Sequence, residues 1–337
     1  MKKSITREGD PIAALSDSIS KEFASFLNSV PLLKYFVPII ALFFMVRPGV
    51  IVVVLLTPAS AAFLATSGFP PLYQSLLGAL AISFAIASAH IFNDFCDIET
   101  DRLNPRTKWR PLPAGLVSRK SALAVSIIFA AVSLIFAFFL NWVCAILLVC
   151  GVALIFSYSA YLKRTVWGFL PPAFAAFLIP LGAFGAYNPA AAFSSPAIIM
   201  GFAGFFFELI PYWCQTFPDI EGDRARGIPT IAVKLGARKT SVAILLCYVL
   251  CMLFLLLLGK HTSLGTPYFS VVICGGILVA LMVILLLIRP DGKRALGLYF
   301  ISLIFIGAVA LAIIFQTAYN AIDKYLNLGR EVLDFLS

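Results

Sequence analysis

Charge is the scarcest thing in this sequence. Only 12% of the 337 residues are Asp, Glu, Lys or Arg, while 61% are hydrophobic. Soluble domains carry about 25% charged and about 45–50% apolar residues. Half the usual charge cannot clothe a water-facing surface of this size, which excludes an ordinary soluble enzyme and a disordered chain. A nucleic-acid-binding domain is excluded as well, despite a net charge of +9. The basic residues stand in short clusters between long apolar runs, a pattern of membrane topology. None of the seven cysteines falls in a C-x-x-C pair. This argues against a zinc site or a disulfide framework and leaves Cys as a small apolar residue. A secretory leader is not expected either, because Met1–Asp10 is polar where an apolar core should begin.

What the chain has in abundance is apolar length. A membrane-spanning helix needs about 20 mostly apolar residues. Nine such runs are expected, at 47–66, 72–92, 120–140, 142–162, 166–187, 196–217, 240–259, 267–288 and 296–318. With this count, 22 of the 25 Lys and Arg residues fall on one side. That asymmetry predicts a cytoplasmic N-terminus and cytoplasmic loops after the even-numbered spans, with the C-terminus on the opposite side. Residues 1–46 read as a tail with an amphipathic surface helix carrying Ile12, Leu15, Ile19, Phe23, Phe26, Leu27 and Val30. Residues 47–318 form the membrane domain, and 319–337 a second amphipathic tail with Ile322, Leu326, Leu333 and Leu336. The fold class is an all-α integral membrane protein.

Seven of the 16 acidic residues crowd into two short segments. Asn93-Asp94-Phe-Cys-Asp97-Ile-Glu99-Thr-Asp101-Arg102 leaves the second span, and Asp219-Ile-Glu221-Gly-Asp223-Arg224 leaves the sixth. Continued as helix, the first places Asn93, Asp97 and Asp101 on one face at four-residue spacing, and Asp219 and Asp223 repeat that spacing. Stacked carboxylates repel unless a cation sits on the stripe. Oxygen donors without neighbouring His or Cys ligands point to Mg²⁺, which takes its remaining ligands from water and a substrate phosphate. The two segments match over D-I-E-x-D-R at an offset of about 120 residues, or four spans. The repeat predicts two pseudo-symmetric four-helix halves plus a ninth helix, with the acidic stripes facing across a central chamber.

A diphosphate also needs cations. Arg47, Arg106, Lys108, Arg110, Lys163, Arg164, Arg226 and Lys234 lie on the expected side, and Arg suits bidentate phosphate contact. Within the spans, His90 reads as a structural histidine more readily than an acid–base group. Glu208 sits about three helical turns before Asp219 and should face the bundle interior. Gln215 is one turn from Asp219 and should line the site. The 31 Phe, 11 Tyr and 4 Trp can line a cavity for a polyprenyl chain or steady a carbocation by cation–π contact.

These residues together resemble the UbiA superfamily of intramembrane prenyltransferases. Asn93-Asp94-x-x-Asp97-x-x-x-Asp101 is similar to its first motif. Arg110-Pro-Leu-Pro-Ala-Gly115, Tyr158-x-x-x-Leu-Lys163-Arg164 and Asp219-x-x-x-Asp223 with its tail Gly227-Ile-Pro-Thr-Ile-Ala-Val-Lys234-Leu-Gly236 resemble the runs that follow. The resemblance covers about residues 45–318. Two extra residues lie between Asn104 and Arg110, and Thr216 stands where many members carry an acid.

The resemblance implies nine helices around a chamber and Mg²⁺-dependent transfer of a prenyl group from an allylic diphosphate. The acceptor would be an aromatic or quinone precursor or a glycerol-phosphate lipid, and the partners are these substrates and the bilayer, with no nucleic acid. It implies metal binding by Asn93, Asp97, Asp101, Asp219 and Asp223. Diphosphate binding falls to Arg47, Arg106, Arg110, Tyr158, Lys163, Arg164 and Lys234, while Asp94 would take a proton or help hold metal. An alternative is a membrane terpene cyclase using the same ionising site. A cation transporter is remote, because the acids cluster at one membrane edge. A CDP-alcohol phosphotransferase is excluded by the missing D-G-x-x-A-R motif.

Overall fold

The computed structural model describes residues 33–104, 107–225 and 227–336. The expected N-terminal surface helix, Arg106 and Arg226 lie outside them. Among the described residues the chain is helical, with no strand. The helices are α1 (Leu33–Val46), α2 (Pro48–Thr66), α3 (Leu72–Leu103), α4 (Arg119–Leu140), α5 (Trp142–Ala160), α6 (Leu170–Tyr187), α7 (Ser195–Thr216), α8 (Ile220–Ala225), α9 (Ile231–Lys260), α10 (Thr266–Ile288) and α11 (Gly292–Leu336). Among the described residues nine stretches are long and apolar enough to cross a membrane, α1 and α2 counting together as Phe36–Thr66. Only helix or a closed barrel satisfies every backbone group in lipid, so a chain this apolar has little other choice.

Local chemistry places the ends. Asn141 alone separates α4 from α5: its side chain accepts from Cys144 N at 3.0 Å, and its amide donates to Gly185 O at 2.8 Å. One residue thus caps a helix and ties α5 to α6. Thr230 caps α9 the same way. Prolines fall in the first turns of α6, α7 and α10, where the missing N–H costs nothing.

Four boundaries differ from expectation. The first span starts at Phe36 and is broken at Arg47, whose φ is 55°. Pro48 follows, and a residue before proline is disfavoured in the α region. α3 runs unbroken to Leu103, so the whole acidic ladder is helical. α9 begins at Ile231 rather than 240, with a kink at Gly236 (φ 75°, ψ 166°) that a residue with a Cβ would resist. α11 does not break at 318 but continues through the expected tail to Leu336.

Two compact units form, residues up to Gly49 with Ile86–Phe129, and Val50–Ala85 with Ala130–Ser337. This division cuts α3 and α4 rather than falling four spans into the chain, so it does not follow the sequence repeat. In the first unit, Ala41 and Met45 pack with Ile91, Ile98, Leu112, Val117 and Ala122. Ser88 and Ser126 exchange hydroxyl bonds to each other's carbonyls at 2.7 and 3.1 Å, which links α3 to α4. In the second unit α7 is central, packed on α6, α9 and α11. A chain of Phe rings, Phe174–Phe205–Phe206–Phe254–Phe202–Phe177, joins α6, α7 and α9 at centroid spacings of 5.0–5.8 Å.

Small residues let α6 and α7 approach. A Cβ on Gly201 would stand 2.8 Å from the Phe177 ring and 2.9 Å from its carbonyl. Gly201→Ala should therefore destabilise the protein by about 1–3 kcal/mol, read as a lower unfolding temperature in detergent. Gly182→Ala, where an added Cβ meets nothing within 4 Å, is the control and should unfold near the parent temperature.

Candidate functional site

The acidic end of α3 belongs to the first unit. Ile91, Asp94, Ile98 and Asp101 form the buried stripe, at exposures of 0, 2, 5 and 6%. Asn93 and Asp97 lie beside it, half-buried. The helix carries the spacing of the ladder, but its last member is tucked inward, and Asp94, outside the ladder, is the most enclosed acid of this segment. Glu99 is a surface residue, 4.0 Å from Arg102 in an exposed pair.

Two arginines converge on this stripe from opposite sides in sequence. Arg47, at the break between α1 and α2, donates from Nη2 to Asp94 Oδ1 at 2.7 Å, and its Nη1 lies 3.3 Å from His90 Nδ1. Arg110 donates from Nη1 to Asp101 Oδ2 at 2.9 Å and stands 3.5 Å from Asp94 Oδ1. The segment after Arg110 explains its placement. Leu112 is 1% exposed and plugs the core, Leu116 N closes on Pro111 O at 2.9 Å, and Gly115 takes φ 78°. Thr107 Oγ1 donates to Asp101 O at 3.2 Å, fastening the same loop to the end of α3. Arg119 lies 4.8 Å above the Phe95 ring, a cation–π contact.

The second acidic segment belongs to the second unit. It does not ride on one continuous helix as expected. Pro218 interrupts α7, Phe217–Asp219 is a single 3-10 turn, and Asp223 lies on the six-residue α8. The backbone keeps right-handed helical angles at Thr216, Phe217 and Ile220, so the register survives the change of element. The Asp219 side chain lies outside the described residues, and Asp223 is half-buried. Gly227, at φ 70°, turns the chain away, with Ile228 N bonded to Asp223 O at 2.9 Å.

Near it in the same unit are Tyr158 and Tyr212, edge to face at 6.3 Å, with Asp223 close enough to Tyr212 to act on it electrostatically. The Leu162–Arg164 turn presses against Gly168, where a Cβ would stand 2.8 Å from Leu162 O, 2.9 Å from Tyr212 Oη and 3.1 Å from Lys163 Cα. Lys163 is half-buried and Arg164 and Lys234 are exposed. Lys234 lies in the first turn of α9, where a cation is unfavourable to the helix dipole. Gln215 is exposed, and Glu208 is half-buried near Tyr299 of α11. Tyr212 was not foreseen. Its only sequence signal is position, two turns before Asp219 on α7. His90, foreseen as structural, is part of the arginine cluster.

The donors suit a hard cation. Among the described residues no three His, Cys, Asp or Glu side chains converge on one metal position. The oxygen donors on α3 come as a short stripe, and His90 faces a guanidinium rather than an open position. Such a set fits Mg²⁺ completed by substrate oxygens, not a protein-only cage.

The model of the UbiA prenyltransferase family matches residues 53–304. A protoheme IX farnesyltransferase of Cutibacterium acnes is 29% identical over 280 residues, covering 79% of this chain and 81% of its own. A solved structure described as digeranylgeranylglyceryl phosphate synthase in membranes superposes with a TM-score of 0.70 at 20% identity, covering 84% of this chain and 99% of that one. A UbiA homologue from Archaeoglobus fulgidus, bound to GPP and Mg²⁺, gives 0.58 at 19% identity, covering 81% and 99%.

Arg110 stands between two enclosed carboxylates, and its loss leaves Asp101 without that partner. Arg110→Ala should cost about 2 kcal/mol or more, seen as a shifted chemical-unfolding midpoint in detergent. Arg102→Ala, which breaks only an exposed pair, should stay within about 0.5 kcal/mol of the parent.

Proposed function

The chain belongs to the UbiA prenyltransferase family, and from that premise we propose that it transfers a prenyl group from an allylic prenyl diphosphate to an acceptor that reaches it through the membrane. The carrying observation is the half-buried oxygen stripe on α3 beside two guanidiniums, all within or bordering the family-matched region. Asn93, Asp97, Asp101, Asp219 and Asp223 would hold Mg²⁺, which when bound offsets charge on the departing diphosphate. Arg47, Arg106, Arg110, Lys163, Arg164 and Lys234, with the Tyr158 hydroxyl, donate to diphosphate oxygens. Breaking the allylic carbon–oxygen bond leaves a cation that water would quench. The apolar, Phe-rich spans exclude water until the acceptor attacks, and that acceptor loses a proton as the new bond forms.

The acceptor classes of the named relatives are haem and a geranylgeranylglyceryl phosphate lipid, and an aromatic acid remains a third class to test. We place the N-terminus and the two acidic motifs on the cytoplasmic side and the C-terminus opposite, on the Lys and Arg asymmetry.

Asp97→Ala and Asp219→Ala should each lower diphosphate release by at least about 100-fold in folded, detergent-extracted protein. Full activity in either variant would remove the metal assignment. A screen of haem, glycerol-phosphate lipid and aromatic acid against labelled geranylgeranyl diphosphate identifies the acceptor. A cyclic hydrocarbon or alcohol formed from donor alone would sink the transferase reading in favour of a cyclase. Reporter fusions after Lys260 and after Arg294 should report opposite sides of the membrane, and a shared side would overturn the orientation.

A further inference from the structure

We propose that Asp94 is a positioning residue, which holds Arg47 and Arg110 as a pair of diphosphate-facing cations and is neither a metal ligand nor a proton acceptor. The inference rests on the prenyl-diphosphate reading of the site and assigns within it the one acid of the first motif that spacing leaves without a role.

Accessibility separates the partners. The Asp94 side chain is 3% exposed, whereas Arg47 retains 31% and Arg110 29%. The carboxylate is therefore closed off while both guanidiniums still reach outward. Its Oδ1 takes both of them, at 2.7 and 3.5 Å. Each guanidinium has five N–H donors. Among the described residues Arg110 meets both carboxylates through Nη1, and the rest of its fork has the geometry to meet phosphate oxygens. Asp101, bonded to the same Nη1, lies on the metal ladder. Asp94 lies about 100° around the helix from Asn93 and about 60° from Asp97, on the buried stripe shared with Ile91, Ile98 and Asp101. What sets Asp94 apart from Asp101 on that stripe is its fuller enclosure, 3% against 9% side-chain exposure, and the two guanidiniums on its one oxygen Oδ1.

Two further features point the same way. Arg47 has φ 55°, a left-handed conformation that costs a residue with a side chain and persists only where the surroundings hold it. Asp94 and His90 are the groups that grip its side chain. An arginine can only donate, so His90 Nδ1 is the acceptor and the ring proton resides on Nε2. Among the described residues that Nε2 is buried with no hydrogen-bond partner. A polar group left unsatisfied there is the cost of orienting Arg47, and it shows that the cluster is arranged around the guanidinium rather than around the histidine.

The test is Asp94→Asn in the full-length protein in detergent, with geranylgeranyl diphosphate as donor and Mg²⁺ varied independently. The expected result is a rise of at least about tenfold in donor KM, kcat within about threefold, and an unchanged Mg²⁺ concentration for half-activity at saturating donor. Adding Asp94→Asn to Arg47→Ala should cost little beyond Arg47→Ala alone, because both act through one contact. A raised Mg²⁺ requirement with unchanged donor KM overturns the proposal in favour of a metal ligand. A fallen kcat and an altered pH profile with unchanged KM overturn it in favour of a proton acceptor. Where Asp94→Asn does not accumulate folded, Asp94→Glu keeps the charge and moves it by one methylene. The same rise in KM is expected, and an unchanged KM overturns the proposal. Calorimetric binding of inorganic diphosphate, which needs no turnover, keeps the two readings apart. Wild-type protein that binds diphosphate but transfers no prenyl group defeats the transferase reading, while unchanged diphosphate affinity in Asp94→Asn defeats the positioning one.

Discussion

A carboxylate removed from water must find a positive partner, and the first compact unit is organised around that requirement. Asp94 is closed into the same stripe as Ile91 and Ile98. Dehydrating one carboxylate costs several kcal/mol unless its partners are close and well oriented. Arg47 must therefore come from the break between α1 and α2, and Arg110 from the loop before α4. That demand explains otherwise unrelated details: a non-glycine residue in a left-handed conformation, a leucine plug behind Arg110, and a left-handed glycine at Gly115. Elsewhere the bilayer imposes the complementary rule, and the outer faces expose apolar side chains such as Phe138, Phe315 and Ile304, as lipid-facing helices do.

The parts legible in the sequence were those that depend on local pattern. Nine spans follow from apolar length, and the Asn93, Asp97 and Asp101 stripe follows from helical period. The D-x-x-x-D segments stand out because so little else in the chain is charged. What sequence could not supply were contacts between distant residues. Asp94 pairs with Arg47 across 47 positions, and no periodicity encodes that partner. The start of the first span at Phe36 was missed because Arg47 looks like a membrane boundary when read alone. In the structure it is a joint inside a single 31-residue stretch. The change of element at Pro218 was hidden for a subtler reason. The backbone angles stay helical across it, so the spacing of the acids gives no sign that α7 has ended.

The second unit shows how a polar region can be shaped by what is left out. At Gly168 the absent side chain lets the Leu162–Arg164 turn and the Tyr212 hydroxyl close on the same point. Tyr158 then meets Tyr212 edge to face, and both lie at the ends of the helices that lead into the Lys163 turn and the second acidic segment. Tyrosines stand at these polar ends, while the run of six phenylalanines lies further along α6, α7 and α9. A hydroxyl needs a partner and a phenyl ring does not, and the tyrosines inside the bundle meet that need with a carbonyl, Tyr248 with Gly276 O and Tyr268 with Leu255 O.

The unbroken course of α11 has a consequence for how the protein sits in lipid. From Ala295 to Ala318 the helix rises about 35 Å, against a hydrocarbon thickness of about 30 Å. Tyr319 and Tyr325 are exposed on the stretch that carries Asn320, Asp323, Lys324 and Asn327, an aromatic and polar collar of the kind that settles at headgroup level. Because no turn intervenes, that collar is rigidly coupled to the apolar rod before it. A rod longer than its slab can match it only by leaning or by thickening the lipid around it. The last helix is thus long enough to span the bilayer with some tilt, and its collar moves with it.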